Sequence, residues 1–398
     1  MNTLIPLLLL TMPAPADEPR NYAFDGSISR EVLDNYLSRA VTHLGLCSDF
    51  SEAPREQFED DVRMLLNIGA KFIGRAAYVW YAWDDGAYLD DVVAKRAAYI
   101  HEKDPEAILQ ACVFETTHTN VNGIPVPAWV FEEFGLPAET RNFRYADMLY
   151  EDGRMVDHWL KGASVPDMSR IETRLWFYYR ARRYIDLGFE AIHFGQVMIM
   201  DGNDPGHVHW RDMLGRVRAY AKQHARRHFV LCDAHTSGFA ENGELLFDFH
   251  AFPLRTKDVL DKPQETVLEK GFIDSIYGKS AGGKTPSGWT CEHLPYLVEL
   301  DNYGASNPGQ GGQPYWSWGW DEITWFAHQP EEYRNAWLRY AWNWLRENDP
   351  NGWLQMPTQR CLTGPVNTRT WYHANTPSPN APEGFNQEET IIQIWAGE

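Results

Sequence analysis

The chain has 398 residues, of which 44% are hydrophobic and 23% charged, so it can bury a large core and is not disordered. Its formal net charge of −19 at pH 7 argues against nucleic acid or an anionic membrane surface as a partner, because both select basic surfaces. The five cysteines lie far apart and form no CxxC pair, so neither a disulfide framework nor a zinc site is indicated.

The N-terminal segment, residues 1–28, begins with an apolar run followed by Ala-Pro-Ala, a pattern that resembles a signal peptide cleaved after Ala16. No Lys or Arg precedes Arg20, however, and Pro6 interrupts the apolar run. A first β-strand is the alternative, and it favours a cytoplasmic over a secreted or periplasmic location. No other segment of the sequence is long and apolar enough to span a membrane.

Two stretches share the pattern of an amphipathic helix, a glycine and a short apolar strand. One covers residues 61–75 around Gly69, and the other covers residues 182–196 around Gly188. Glycine is the usual helix stop, and helix followed by buried strand is the repeating unit of a parallel α/β protein. The same alternation predicts strands at 41–46, 72–78, 108–115, 191–196, 229–233, 245–250, 297–301 and 353–356. Helices are predicted at 55–68, 90–103, 171–187, 209–225, 331–347 and 388–395, with a further helix beginning within 264–270.

Eight strands that read as apolar runs favour a (β/α)₈ TIM barrel over a doubly wound sheet. Residues 29–398 would form this barrel as a single catalytic domain. Long loops follow the third, sixth and seventh predicted strands, at residues 116–170, 251–294 and 302–330. Barrel enzymes build their sites from the loops at this end of the strands, so we expect the site there.

Acidic residues end several predicted strands. Glu115, Asp233 and Glu299 each terminate an apolar strand and are the candidate catalytic residues, because hydrolysis of a glycosidic bond needs two carboxyl groups across a pocket. Each could instead cap a helix or pair with an arginine. Indole faces can stack on the C–H faces of sugars, although core packing also explains part of the content of 17 Trp. The candidate substrate-binding residues are Arg75, Gln196, His235, His250, Asp301, Glu322, Trp289, Trp316, Trp318 and Trp320.

The Trp-rich segment PYWSWGWDEITWF, residues 314–326, together with the barrel rhythm and the strand-end acids, makes the chain resemble the TIM-barrel glycoside hydrolases. It is similar in particular to bacterial proteins of unestablished activity that are grouped with them. The resemblance implies the barrel fold and hydrolysis of glycosidic bonds in oligosaccharides or glycosides. We expect no cofactor and no metal, and the sequence leaves the oligomeric state open. In the large retaining clan of that class, an Asn-Glu pair ends the fourth strand and a nucleophilic Glu ends the seventh. Glu299 matches the second position, but the fourth predicted strand ends in Phe-Gly-Gln, which leaves the acid/base residue open.

Two other functions fit parts of the sequence. A metal-dependent sugar isomerase or hydrolase would use histidines and acids, although an HxH pair on the first strand and an HExxH motif are absent. The candidate metal ligands of such an enzyme are His193, His235, His250, Glu115 and Asp233.

A non-catalytic carbohydrate-binding barrel would keep the Trp-rich rim and need no acid pair.

Residues 278–285, GKSAGGKT, satisfy the Walker A pattern of a phosphate-binding loop. Such a loop must lead directly into a helix, and Pro286 and Gly288 follow instead. We therefore interpret the segment as a loop at the rim of the site.

Overall fold

A large, curled and mostly parallel sheet forms the centre of the protein. The computed structural model describes residues 20–48, 55–78, 89–259, 261–302 and 319–397. The strands of the sheet pair in the order β8-β7-β6-β5-β4-β3-β2-β1-β9-β10, and only the last pair is antiparallel. They are β1 (Ala40–His43), β2 (Phe72–Ala77), β3 (Ile108–Cys112), β4 (Ala191–His193), β5 (Leu231–His235), β6 (Phe249–Pro253), β7 (Tyr296–Glu299), β8 (Gly352–Leu354), β9 (Met356–Val366) and β10 (Arg369–His373).

The strands β8 and β9, which lie near opposite ends of this order, are consecutive in the chain. β8 pairs with β7 and β9 pairs with β1, while only Gln355 separates the two. The backbone N–H of Gln355 donates to the carbonyl oxygen of Val298 at 2.8 Å, and its Nε2 donates to that of Val41 at 3.0 Å. This one residue therefore hydrogen-bonds to both flanking segments of the sheet.

Helices alternate with the first strands and cover the outside of the sheet. Gly69 and Gly188 follow two of them with φ of 75° and 91°, which glycine adopts without steric cost, so both predicted helix stops are confirmed. The helices are α1 (Arg30–Leu37), α2 (Arg55–Ile68), α3 (Ala94–Lys103), α4 (Ala128–Glu133), α5 (Ile171–Asp186), α6 (Val197–Met200), α7 (Val208–His224), α8 (Glu322–His328), α9 (Glu331–Asn348) and α10 (Glu388–Ala396). A π-helical turn, Leu89–Val93, leads into α3, and 3₁₀ turns occupy Thr119–Gly123, Tyr145–Met148 and Pro205–His207.

Short antiparallel strands, rather than helices, connect β5 to β6 and β6 to β7. Among the described residues, no α-helix lies between β5 and β6 or between β6 and β7. The helix that we predicted to begin within 264–270 is wrong, because Lys262–Val267 is a strand that pairs with Lys257–Val259. The other short strands are Thr117–His118 with Ala163–Ser164, Ala240–Glu241 with Glu244–Leu245, and Gly283–Lys284 with Thr290–Cys291.

The remaining predicted elements have mixed outcomes. α2 has the predicted bounds, and α5, α7, α9 and α10 differ from theirs by no more than one residue at either end. The Walker A segment, residues 278–285, contains the strand Gly283–Lys284 and is followed by a turn rather than a helix, so it is not a phosphate-binding loop. The predicted N-terminal strand or signal peptide lies outside the described residues. Within the described parts of the chain, no helix combines the length and apolar character that a membrane span requires.

Candidate active site

A cavity of about 540 Å³ opens at the carboxyl ends of the parallel strands. A second cavity of about 580 Å³ adjoins it, and the two share Trp159, Gln196, His235, Asp301 and Asn302. Strands β2, β4, β5, β9 and β10, together with the segments that directly follow β1, β3 and β7, contribute residues to the first, which we call the central cavity. Its lining consists of Leu44, Arg75, Tyr78, Phe114, Glu115, Trp159, His193, Gly195, Gln196, His235, Asp301, Asn302, Arg360, Cys361 and Trp371.

Glu115 lies three residues beyond the end of β3 and is buried in the wall of the central cavity. Its carboxylate accepts hydrogen bonds from the backbone N–H of Gln196 at 2.9 Å and from Gln196 Nε2 at 3.2 Å. Burial raises the pKa of Glu115 above its ordinary value, and the hydrogen bonds from Gln196 offset only part of that effect. Gly195 has φ of 68°, and a Cβ atom there would collide with the Glu115 carboxylate. The local sequence Gly195-Gln196 therefore both admits and holds this acid.

Asp301 is the second carboxyl group that lines the central cavity. It lies two residues beyond β7, and Nη atoms of Arg255 and Arg360 each lie 3.5 Å from its carboxylate oxygens. Burial opposes ionisation, but the positive charges of Arg255 and Arg360 outweigh it and hold the pKa of Asp301 below its ordinary value. Asp301 is therefore an ionised carboxylate at neutral pH, in the same cavity as an acid whose pKa is raised.

Glu299, the last residue of β7, does not line the central cavity. It accepts hydrogen bonds from Thr42 Oγ1 at 2.8 Å and from Arg360 Nη1 at 2.8 Å, and it forms a two-point ion pair with Arg75. Burial works against ionisation, yet the two guanidinium groups lower the pKa of Glu299 to about 2. The Glu299 carboxylate lies beneath the cavity and holds Arg75 and Arg360, which both line it.

Asp233 is also buried beneath the cavity rather than exposed in it. Hydrogen bonds of 2.7 Å join its carboxylate to Gln110 Nε2 and to His193 Nδ1. His193 lines the central cavity, and its Nε2 has no hydrogen-bond partner among the described residues. The ring of His235 lies 5.3 Å from that of His193, and burial together with this neighbour lowers the pKa of His235 to about 3. Asp233 therefore orients one of two neighbouring imidazoles.

Comparisons with known proteins were informative only at the level of structure. No protein-family model matches the chain, and no curated protein matches it. The acarbose-soaked debranching enzyme from Nostoc punctiforme is similar with a TM-score of 0.46 and 10% identity, over 92% of this chain and 82% of that chain. A sulfoquinovosidase of family GH31 from E. rectale has a TM-score of 0.43 and 11% identity, over 94% of this chain and 48% of that one. A further crystal structure of the Nostoc debranching enzyme has a TM-score of 0.33 and 10% identity, over 55% and 52% of the two chains.

These structural neighbours are glycoside hydrolases. The chain spans about half the length of the GH31 sulfoquinovosidase and of the chain in the further Nostoc crystal structure.

The structure brings several of the predicted binding residues together. Arg75, Gln196 and His235 all line the central cavity, as does Asp301. Glu322 lies just behind them at the start of α8, where its carboxylate accepts a hydrogen bond from the backbone N–H of Asp301 at 3.1 Å. Burial raises the pKa of Glu322 to about 8, and it supports the segment that carries Asp301 rather than lining the cavity.

Other predicted residues lie elsewhere. His250 is buried on β6, where its Nδ1 lies 2.9 Å from Ser280 Oγ. The indole N–H of Trp289 donates to the carbonyl oxygen of Ile28, ahead of α1, and the Trp320 ring packs on His328 and Gly364. None of these three predicted residues lines the central cavity. Trp316 and Trp318 lie outside the described residues.

The sequence did not single out three cavity residues that the structure places prominently. Trp159 comes from the long segment after β3, Arg360 comes from β9, and Trp371 comes from β10. A longer eighth strand would have brought Arg360 into view, but we predicted that this strand ends at residue 356. Among the residues that the structure describes, no group of three or more His, Cys, Asp or Glu side chains is arranged to hold a metal ion.

Proposed function

We propose that the chain is a glycoside hydrolase in which Glu115 is the general acid and Asp301 is the ionised carboxylate that works with it. The observation that carries this proposal is the opposite perturbation of two carboxyl groups in one cavity. Burial raises the pKa of Glu115, whereas Arg255 and Arg360 lower that of Asp301 despite its burial. A carboxyl group with a raised pKa and an ionised carboxylate in one cavity are the two groups that glycoside hydrolysis requires.

In the proposed reaction, the Glu115 carboxyl group donates its proton to the glycosidic oxygen. The bond between this oxygen and the anomeric carbon breaks, and its electron pair remains on the oxygen, which leaves as an alcohol. The positive charge that develops at the anomeric carbon is stabilised by the Asp301 carboxylate, which attacks the carbon itself or takes a proton from the attacking water. NMR of the first-formed anomer distinguishes these two roles of Asp301.

The neighbouring side chains support substrate binding. His193 is fixed through Nδ1 by Asp233, so its other nitrogen can hydrogen-bond a sugar hydroxyl. The neutral His235 ring can do the same. Trp159 and Trp371 offer apolar faces in the wall of the cavity for the C–H faces of a sugar ring. We retain Trp316 and Trp318 as a proposed part of the rim, because they belong to the predicted loop 302–330, whose first residue, Asn302, lines the cavity.

We further propose that the parallel strands close into a TIM barrel and that residues 29–398 are its single domain. The supporting observation is Gln355, which alone separates β8 from β9 and hydrogen-bonds to segments on both sides. Closure would place the carboxyl ends of all strands around one mouth, which is where Glu115 and Asp301 lie.

The test is a panel of 4-nitrophenyl glycosides and of plant and algal oligosaccharides, assayed with and without EDTA. We expect hydrolysis of at least one substrate, unchanged by EDTA, and in Glu115→Gln a loss of at least about 10³-fold on oligosaccharides, whose leaving group needs a proton. Binding without turnover would instead indicate a carbohydrate-binding protein. Activity that EDTA abolishes would indicate a metal-dependent enzyme and overturn the proposal.

A further inference from the structure

A third cavity adjoins the central cavity through one tryptophan. This groove has a volume of about 660 Å³ and lies between β10, the first turn of α2 and the segment after β10. Trp371 lines both cavities, whereas the groove is otherwise lined by different residues. Nothing in the proposed reaction at Glu115 and Asp301 requires this groove.

The position of Trp371 follows from the β9–β10 hairpin. Cys361 of β9 pairs with Trp371, and Cys361 itself lines the central cavity. Tyr372 of β10 is buried in the core, whereas Thr370, Trp371 and His373 of the same strand line the groove. The hairpin thus carries an aromatic wall outward from the site.

The lining of the groove has the chemistry of a sugar subsite. Trp371 supplies an apolar face, and Gln57, Thr370 and Asn380 supply short polar groups that can hydrogen-bond hydroxyls. The two charged residues in the lining, Glu56 and Glu383, are acidic. Acidic groups repel sulfated or uronic sugars, so the lining favours an uncharged chain.

The groove and the cavity that adjoins the central cavity lie on different sides of it. The adjoining cavity uses residues that follow β4, β5 and β6, such as Thr236 and Asp274. The groove uses β10 and α2, and α2 follows β1. In the strand order, β2 and β3 lie between the group β4, β5 and β6 and the group β1, β9 and β10. A ligand with several sugar units could therefore extend from the central cavity in both directions.

We propose that the groove beyond Trp371 binds further units of an uncharged oligosaccharide or polysaccharide chain, so that the enzyme cleaves internal bonds. This inference rests on the proposed function. It adds to that function the substrate class, a neutral chain of several units, and the mode of cleavage.

The test compares kcat/KM on a six-unit neutral oligosaccharide with kcat/KM on the corresponding 4-nitrophenyl monosaccharide. Thr370→Trp places a large side chain in the groove, and Thr290→Trp is the matched control on another exposed short strand. We expect the ratio of the two values to fall at least tenfold in Thr370→Trp and to stay within twofold of wild type in Thr290→Trp. Early products of the wild type should come from internal bonds. Equal ratios in the two variants, or release of single units from one chain end, would overturn the inference.

A binding measurement keeps the inference testable without turnover. Native electrophoresis of the Glu115→Gln chain through gels that contain each neutral polysaccharide of the panel should show retardation by at least one, and adding Thr370→Trp should remove it. Absence of retardation by every polysaccharide would overturn the groove proposal. Glu115→Gln that keeps wild-type turnover would instead overturn the proposed function, so the two failures are distinguishable.

Discussion

Replacing Glu299 by Gln should destabilise the fold and make this loss depend on pH. Glutamine can keep the hydrogen bond from Thr42, but it removes the negative charge that faces Arg75 and Arg360. Both guanidinium groups are almost fully buried, so neither can regain its lost partner from water. Removing one partner of such a buried ion pair costs about 3–5 kcal/mol in general.

The lowered pKa of Glu299 gives a second value for the folding free energy that its charge contributes. The pKa of Glu299 falls from its ordinary value of 4.5 to about 2 in the folded chain. A difference of about 2.5 pH units corresponds to about 3.4 kcal/mol of folding free energy. Because the folded pKa is the lower one, this contribution is complete above the unfolded pKa and is lost as pH falls through the folded pKa. About 1.4 kcal/mol of it should remain at pH 3.

The assay is guanidinium unfolding followed by Trp fluorescence, at pH 7 and pH 3, for wild type and Glu299→Gln. The exposed Glu292→Gln is the matched control, and we expect it to change the unfolding free energy by less than about 0.5 kcal/mol. Between pH 7 and pH 3 the difference between wild type and Glu299→Gln should shrink by about 2 kcal/mol. A difference below about 1 kcal/mol at pH 7, or one that does not shrink at pH 3, would refute the reasoning.

Three further predictions concern the site. Asp233→Asn removes the negative acceptor that orients the His193 imidazole, so kcat/KM should fall about 10–100-fold while the circular dichroism spectrum is retained. Loss of secondary structure in this variant would contradict a positioning role. Activity should decline as pH rises through the raised pKa of Glu115, and it should decline at the acid side as pH falls through the lowered pKa of Asp301. A pH–rate profile with its optimum above about pH 9, or with its acid limb above about pH 5, would contradict these assignments. Gly195→Ala should lower kcat/KM more than tenfold because its Cβ collides with the Glu115 carboxylate, whereas Gly26→Ala has the same φ of 68° and no atom within 4 Å, so it should affect only the melting temperature.

The helices could be predicted from the sequence because their signals are local. An amphipathic period and a glycine stop lie within one segment, as in α2 and α5. Strand ends were less predictable, because the end of a parallel strand depends on the neighbours with which it pairs. The predicted eighth strand, 353–356, shows this clearly, because it divides at Gln355 into β8 and β9. Pro357 lacks a hydrogen-bond donor, yet it stays in the sheet beside Thr42, and β9 continues to Val366.

The types of residue in the candidate site could be predicted from the sequence, but which carboxylate reaches the cavity could not. Glu299 and Asp301 lie two residues apart in the predicted strand 297–301, so the alternation of side chains assigns both to the same face. Their depth does, because two residues span about 6.6 Å along the strand. Glu299 ends the strand beneath the cavity, and Asp301 lies beyond it in the cavity wall. Arg360, which helps to lower the pKa of both carboxylates, comes from a distant part of the chain and leaves no local signal.

The central claim is that Glu115 protonates the leaving group and that Asp301 acts at the anomeric carbon. It is tested most directly by how Glu115→Gln and Asp301→Asn depend on the leaving group of an aryl glycoside. A dinitrophenolate needs no proton in order to leave, whereas a simple alcohol does. We therefore predict that Glu115→Gln keeps most of its activity on the dinitrophenyl glycoside and loses at least about 10³-fold on the alkyl glycoside, while Asp301→Asn loses activity on both. Equal losses by Glu115→Gln on the two substrates, or wild-type rates in Asp301→Asn, would contradict the account.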